Sequence, residues 1–558
     1  MAHLGPVRLL FGAILAGLIL PACSRQDSAP NAKEAEILAN PGSPVPGDWV
    51  ITRMDSDPDT LNPLTCQTSN GAYLSGTVIN EGLLQMNNFT LKLEPCLAES
   101  WEISPDKLVY TFHLRHGVKW HDGEPFTADD VKFTYDKLMD PKVDAAPTRS
   151  YFTTVKSCEV LDPYTVRFTA SEPYFKTLDS IGTNMPICPR HAFDHGDPDF
   201  NKNEFGRHPI GTGPYKFVRW DTGQQIVVER NDDYWGGARY PKRLVFQILS
   251  EPYVAAQLLK KGQIDVFDSV SPIIWKHDLE GTRSMNHLHE YEYPFPAYSF
   301  MGFNLREPHF SDVRVRHAID LLMPRDEIIA QIFLNKYATK TSGYDPSGSL
   351  NYNHDVQPTP YDPAQAQQLL AEAGWKNDHG DGILYKDNQP LSFTLLYGSG
   401  NANAQKEAEL VQESLKRAGI DLHLESMEFA QLIDRVEDWK FDAVMLGCTE
   451  DIDGDPWQSW NSADALVKKS SNFVGYQNPE ADQLMKQGKL EYDPDKRGAI
   501  YRHLQQIIHD DYAVCFLTNP KLITIVDDRF QNVKTFAPIP CIDQTTWWVP
   551  RQLQKYGN

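Results

Sequence analysis

Between Leu391 and Glu425 the hydrophobic period changes twice, and this constrains the fold more than any other stretch of the chain. Leu391 to Tyr397 is an apolar run of strand length. From Asn403 to Ala418, Leu410, Val411, Leu415 and Ala418 then fall on one helical face, and Gly419 supplies a stop. Ile420, Leu422 and Leu424 next alternate with Asp421, His423 and Glu425, the period of a half-buried strand. Strand, helix and strand in this order predict a βαβ unit and a partly parallel sheet, hence an α/β protein. Other helices carry their own start signals. Thr127 precedes Ala128 to Met139, Ser311 precedes the helical spacing of Val315, Ala318, Ile319 and Leu322, and Asp362-Pro363 opens a helix that Gly374 closes. Val109, Tyr110, Phe112 and Leu114, before the turn His121-Asp122-Gly123, mark an earlier β-rich region.

The 558 residues leave room for roughly two to four domains. Arg8 precedes an apolar run of twelve residues, Leu9 to Leu20, too short to span a bilayer but suited to the core of a signal peptide. The run ends in Leu20-Pro21-Ala22-Cys23, which resembles a bacterial lipobox. A signal peptide over 1–22 is therefore expected, with a lipid on Cys23 anchoring the chain to a membrane in the periplasm or at the cell-envelope surface. Residues 23–47, rich in Ser, Pro, Ala, Asn and Gly, read as a flexible tether. A net charge of −22 argues against nucleic acid, whose phosphates call for Lys and Arg. Seven cysteines follow Cys23 without a CxxC pair, so a zinc or redox motif is not supported, and an odd number leaves at least one thiol unpaired. His113, His116 and His121 sit on a strand and a turn, where they would point to different faces; neither a metal site nor a cofactor is expected.

At Leu97 the sequence meets a known pattern. The run LAESWEISPDKLVYTFHLRHGVKWHDGEPFTADDVKFTYDKL, Leu97 to Leu138, closely resembles the signature region of the family 5 extracellular solute-binding proteins, the dipeptide-, oligopeptide- and nickel-binding receptors of ABC importers. Thr60-Leu61-Asn62-Pro63, Gly211-Thr212-Gly213-Pro214-Tyr215, Asn231-Asp232-Asp233-Tyr234-Trp235 and Phe303-Asn304 also match. So do Val313 to Ile319, Leu369 to Trp375, and Asp455-Pro456-Trp457, all in the family's order. The resemblance runs from about Trp49 to Pro550. It implies an α/β, two-lobed periplasmic-binding-protein fold (type II, large peptide-binding subclass) with an extra α+β subdomain in lobe 1. The expected units are lobe 1 over 48–296, with the extra subdomain at about 91–206, lobe 2 over 297–519, and a C-terminal return to lobe 1 over 520–558. Crossings between lobes are expected near Pro296 to Asn304 and Phe516 to Ile525. The glycines of Gly211-Thr212-Gly213 lack the lysine of a phosphate loop and are read as a bend supplying unusual backbone angles.

The most chemically loaded segment is LGCTEDIDGDPWQSW, Leu446 to Trp460, expected at the C-terminal end of the strand Phe441 to Leu446, where open α/β sheets bind ligands. In peptide-binding members, an aspartate of the matching loop pairs with the ligand's α-ammonium. Counting forward from Gly447 selects Asp451, the first choice; counting back from Asp455-Pro456 selects Asp453. The EF-hand reading fails, since Pro456 and Ser462 stand where glycine and glutamate are required. Trp457 and Trp460 flank the loop as candidate pocket walls, with Asn304 at the first crossing and Ser69, Asn70 and Gly71 where the family's first lobe meets its ligand.

The function expected is an extracytoplasmic receptor that captures short peptides between two closing lobes and delivers them to ABC importer permease subunits. It is expected to act as a monomer, not as an enzyme. The same role for a non-peptide solute, such as a metal chelate, haem, opine or sugar, stands as the alternative. A secreted hydrolase belongs to another class, and no GxSxG, HExxH or paired-cysteine metal site is present to support it. A surface adhesin or sensor on the same fold is a further reading, because fold does not fix function.

Overall fold

The computed structural model describes residues 32–193, 199–237 and 239–557. The expected signal peptide and Cys23 lie outside them. Within the expected tether, Ala32–Ala39 forms a helix, consistent with its run of good helix formers, AKEAEILA.

Among the described residues the strands gather into three large sheets. The largest has eight strands, in the order Leu288–Pro294, Thr518–Asp527, Val266–Phe267, Trp49–Met54, Arg243–Ile248, Gln225–Arg230 and Tyr215–Asp221, with Ala338–Lys340 paired to Thr518–Asp527 off this path. A five-stranded sheet runs Asp421–Met427, Ser392–Gly398, Ala443–Thr449, Ala297–Phe303 and Val514–Phe516. A four-stranded antiparallel sheet, Ala98–Ile103, Val109–Leu114, Thr165–Ala170 and Val155–Asp162, has its own apolar core around Tyr110, Phe112, Trp120 and Phe168.

The βαβ unit is present. Ser392–Gly398 and Asp421–Met427 pair in parallel, from Ser392 opposite Asp421 to Gly398 opposite Met427, across the helix Ala402–Arg417. Gly419 takes the left-handed φ of +84° that the stop requires. Thr127 and Asp130 form a reciprocal capping box at Ala128–Met139. Asp362 caps Pro363–Glu372 by accepting from the N–H groups of Ala364 and Gln365. One cap moves by a residue: Ser311 Oγ donates back to Pro308 O at 2.8 Å, and Asp312 accepts from Arg314 N–H to open Val313–Leu321.

The chain leaves the large sheet after Pro294 and enters the five-stranded sheet at Ala297; it returns between Phe516 and Thr518. Ala338–Lys340 adds a third strand at this junction, opposite Thr518 to Pro520. The C-terminal segment is tied to the large sheet by a buried ion cluster. Arg529 reaches Asp48 at 3.1 Å, Asp265 at 2.6 Å and Asp527 at 2.9 Å. Burial alone would raise the Asp527 carboxyl, but Arg529 and Lys555 hold it well below the usual carboxylate range.

The bend at Gly211-Thr212-Gly213 needs its glycines for a different reason from the expected one. Neither has a positive φ. Instead, a Cβ at either position would collide with the carbonyl oxygen of Ile79. His121 clamps this bend, accepting from Gly211 N–H at Nδ1 (3.1 Å) and approaching Gly213 O with Nε2 at 3.0 Å. Burial holds its imidazole down at about 4, so it serves as a neutral bridge.

Candidate functional site

The strand leading into the acidic loop is longer than expected. Ala443–Thr449 stays paired with Ala297–Phe303 through Thr449 opposite Ala297, so Gly447 and Cys448 belong to the strand. The loop begins at Glu450, whose N–H donates to Pro296 O at 2.9 Å, beside the first crossing between sheets. It is thus pinned at the junction of the eight- and five-stranded sheets.

Both expected ammonium-binding aspartates already face cations of the chain. Lys176 Nζ, buried, lies 3.3 Å from Asp451 and 2.8 Å from Asp179. Burial would lower the Lys176 ammonium, but Asp179 and Asp451 push it above its ordinary value. Asp453 receives Arg497 through Nη2 at 2.5 Å and Nε at 3.2 Å, a two-pronged pair with a buried guanidinium. Asp455 Oδ1 accepts from Trp457 N–H at 3.0 Å, and Oδ2 accepts from the Tyr174 hydroxyl at 2.9 Å. Burial raises the Asp455 carboxyl, and these two donors partly offset it.

Tyr174 and Lys176 come from the segment that follows the four-stranded sheet. Phe175 between them inserts into the core that contains Tyr298, Tyr344, Trp460 and Tyr501. Its N–H donates to Lys489 O at 3.0 Å, and the Arg497 guanidinium sits 4.0 Å from its ring centre. Tyr110 Oη lies 3.3 Å from Tyr492 Oη nearby. The segment Tyr174 to Lys176 therefore packs onto the acidic loop and into the core beside it.

Behind the loop stands a second acid. Asp345 is 3% exposed and its Oδ2 has no hydrogen-bond partner. Burial raises its carboxyl to about 8, with Asn351 offsetting and Asp453 adding. Glu450 is also raised to about 8, first by burial and then by Asp345 and Asp451.

Of the other expected residues, the two tryptophans stay with the loop and the rest lie apart. Trp457 stands at the loop's end with the Lys489 ammonium 4.9 Å from its ring, while Trp460 is buried against Tyr344 and Tyr476. Asn304 is buried, and its amide is spent within the chain: Nδ2 donates to Phe441 O and Trp439 O, and Oδ1 accepts from Arg306. Ser69, Asn70 and Gly71 open the helix Ser69–Tyr73. Asn70 Nδ2 donates to Asp55 at 2.5 Å, and a Cβ on Gly71 would collide with Cys66 Sγ and Pro58. No hydrogen bond or ion pair among the described residues joins these three to the acidic loop. Glu450, Asp345, Lys176, Tyr174 and Arg497 escaped the sequence reading; only the adjacency of Glu450 to Asp451 could have signalled one of them. All seven cysteines after Cys23 are unpaired.

Comparison with known proteins gives a consistent result. The family model described as bacterial extracellular solute-binding proteins, family 5 middle, matches residues 92–471. The oligopeptide-binding protein AppA of Bacillus subtilis is 29% identical over 546 residues, covering 96% of this chain and 97% of its own. Its structure in complex with a nonapeptide superposes with a TM-score of 0.75, covering 91% of this chain and all of that one. Di/tripeptide-binding protein 4 of Pseudomonas aeruginosa is 30% identical over 481 residues, 82% of this chain and 86% of its own. NikZ of Campylobacter jejuni, in complex with Ni(L-His), matches with a TM-score of 0.75 at 25% identity, covering 90% of this chain and 100% of its own.

Proposed function

The chain belongs to family 5 of the bacterial extracellular solute-binding proteins, and from that premise we propose that its solute is a short peptide, handed on to the permease subunits of an ABC importer. The carrying observation is the acidic loop at 450–455, pinned at the junction of the eight- and five-stranded sheets and covered by Tyr174 to Lys176 from the segment after the four-stranded sheet. A carboxylate-rich wall that the opposite side closes upon suits a solute with an ammonium group, because charge-assisted hydrogen bonds strengthen when water is excluded. Full-length similarity to oligopeptide- and di/tripeptide-binding proteins points the same way. Asp451 and Asp453 remain the ammonium partners in this reading, with the solute competing against Lys176 for Asp451. Lobes over 48–296 and 297–519, with a return over 520–558, belong to this reading; the passage between sheets from Pro294 to Ala297 supports the first boundary, while 519/520 falls within the strand Thr518–Asp527. The protein acts as a monomeric receptor without catalysis.

Calorimetry against a library of di- to pentapeptides, on protein unfolded and refolded to strip retained ligand, tests the solute. Micromolar or tighter binding of several members is expected. Silence across the library sinks the peptide reading and leaves the receptor reading standing. Anchoring through a lipid on Cys23 in the periplasm or at the envelope surface is the companion proposal. Cys23→Ser should move the protein from the membrane fraction to the soluble fraction, and persistence in the membrane would refute the lipid.

A further inference from the structure

We propose that Glu450, backed by Asp345, is a subsite for a basic group of the solute, so that the protein selects peptides bearing a lysine or arginine side chain over neutral ones. This rests on the peptide reading and goes beyond it by fixing the charge of the solute's side chain.

The case begins with the balance of charge around the loop. Lys176 is committed to Asp451 and Asp179, and Arg497 to Asp453. Tyr174 and the Trp457 N–H serve Asp455. Two carboxyls are left over. The Glu450 side chain makes no hydrogen bond or ion pair among the described residues, and Asp345, with only the Asn351 amide beside it, keeps Oδ2 buried without a partner. An unpaired buried carboxylate is costly and is relieved either by a proton or by a cation.

The surroundings suit a cation. Tyr344, 3% exposed, buries its hydroxyl without a partner, within electrostatic reach of Asp345, Tyr501 and Glu450. The Tyr501 hydroxyl, fully buried, is also unpartnered. Tyr298 lies within reach of the same two acids and of Cys448. Aromatic faces beside carboxylates form the environment that guanidinium and ammonium groups favour. Glu450 is the way in: it is half-buried, Asp451 beside it is 57% exposed, and Asp345 stands behind. A basic group would meet Glu450 directly and feel Asp345 through it. Arrival of that cation must also expel the protons that the free acids hold near neutral pH, so binding carries a proton signature.

The test is calorimetry of the purified full chain at pH 7, in two buffers of different ionisation enthalpy. The probes are Lys-Ala-Ala, Arg-Ala-Ala, norleucine-Ala-Ala and arginine methyl ester. The basic tripeptides should bind at least about tenfold more tightly than the norleucine one, the lower range for a hydrogen bond to a charged group, and release protons that it does not. Glu450→Gln should abolish both the preference and the proton release, and Asp345→Asn should weaken both. These amides keep the shape and remove only charge, so both variants should melt no lower than the parent. Equal affinity for the norleucine peptide, or a preference that survives both substitutions, overturns the subsite and leaves the peptide reading intact. If no tripeptide binds but arginine methyl ester does, with proton release lost in Glu450→Gln, the subsite stands and the peptide reading falls. If none of the four binds, both fall.

Discussion

Glu407 lies on the buried face of the helix Ala402–Arg417, 6% exposed. Burial alone raises its carboxyl from 4.5 to about 7. The sign follows from linkage. Below about pH 4.5 both folded and unfolded chains hold the proton, and the group is neutral to stability. As pH rises toward 7, the unfolded chain releases its proton first and is lowered in free energy relative to the folded one, so stability falls through that window. Glu407→Gln should therefore raise stability at pH 8 by at most about 3 kcal/mol and leave it unchanged at pH 4, read from urea melts at the two pH values. An equal gain at both would show that the charge is not responsible. Single residues of this kind were hard to read in the sequence. Glu407 sits in a helix whose apolar stripe was plain, yet nothing in the stripe marks which polar neighbour turns inward. Lys176, in a run with no distinctive spacing, meets Asp451 only because the fold brings together positions far apart in the chain. Asn304 stood out in a family motif, but its amide proves to brace the loop at Trp439 and Phe441.

Elements were far more legible, because their signals are local. The βαβ period, the Thr127 capping box and the Asp362 cap all lie within a few residues of what they control. The misplacements share one cause, a competing contact from elsewhere. Ser311 is drawn back by Pro308 O, and the strand before the acidic loop runs to Thr449 because Ala297–Phe303 continues to pair with it. The bridge formed by Tyr174 to Lys176 is the element that sequence could not supply, since it has no regular structure and its partners are distant. Its one apolar member, Phe175, should dominate its hold, as the neighbouring ion pairs are partly exposed at Asp451 and Asp453. Phe175→Ala should lower the stability of the closed contact by about 3 kcal/mol. Hydrogen exchange should then speed up across residues 174–177 and 450–455, while the strands Ser392–Gly398 and Asp421–Met427 keep their protection. Uniform acceleration across the protein would mean that Phe175 supports the whole fold and is no bridge.

At the scale of the molecule, the strand order was out of reach of sequence: Trp49–Met54 lies between Arg243–Ile248 and Val266–Phe267, and Thr518–Asp527 returns to the same sheet. Such pairings rest on burial of both faces and on no local signal. That topology brings the segment after the four-stranded sheet onto the acidic loop. Lys176 on Asp451, Tyr174 on Asp455, Arg497 against Phe175 and the Phe175 N–H on Lys489 O each join two groups of the chain itself, between this segment and the part that carries the loop. A ligand can shift an opening equilibrium only by its differential affinity for the two states, so contacts that favour closure beforehand leave less for it to shift. The free protein should accordingly populate the closed form, and small-angle scattering should show little change in its radius of gyration when a bound peptide is added. Phe175→Ala, by weakening the bridge, should expand the free protein and restore a peptide-driven contraction. Its apparent affinity should fall in proportion to the closed fraction lost, since the peptide must then supply the closing free energy itself. A wild-type protein that contracts on binding as much as the variant does would show that the bridge forms only around the solute.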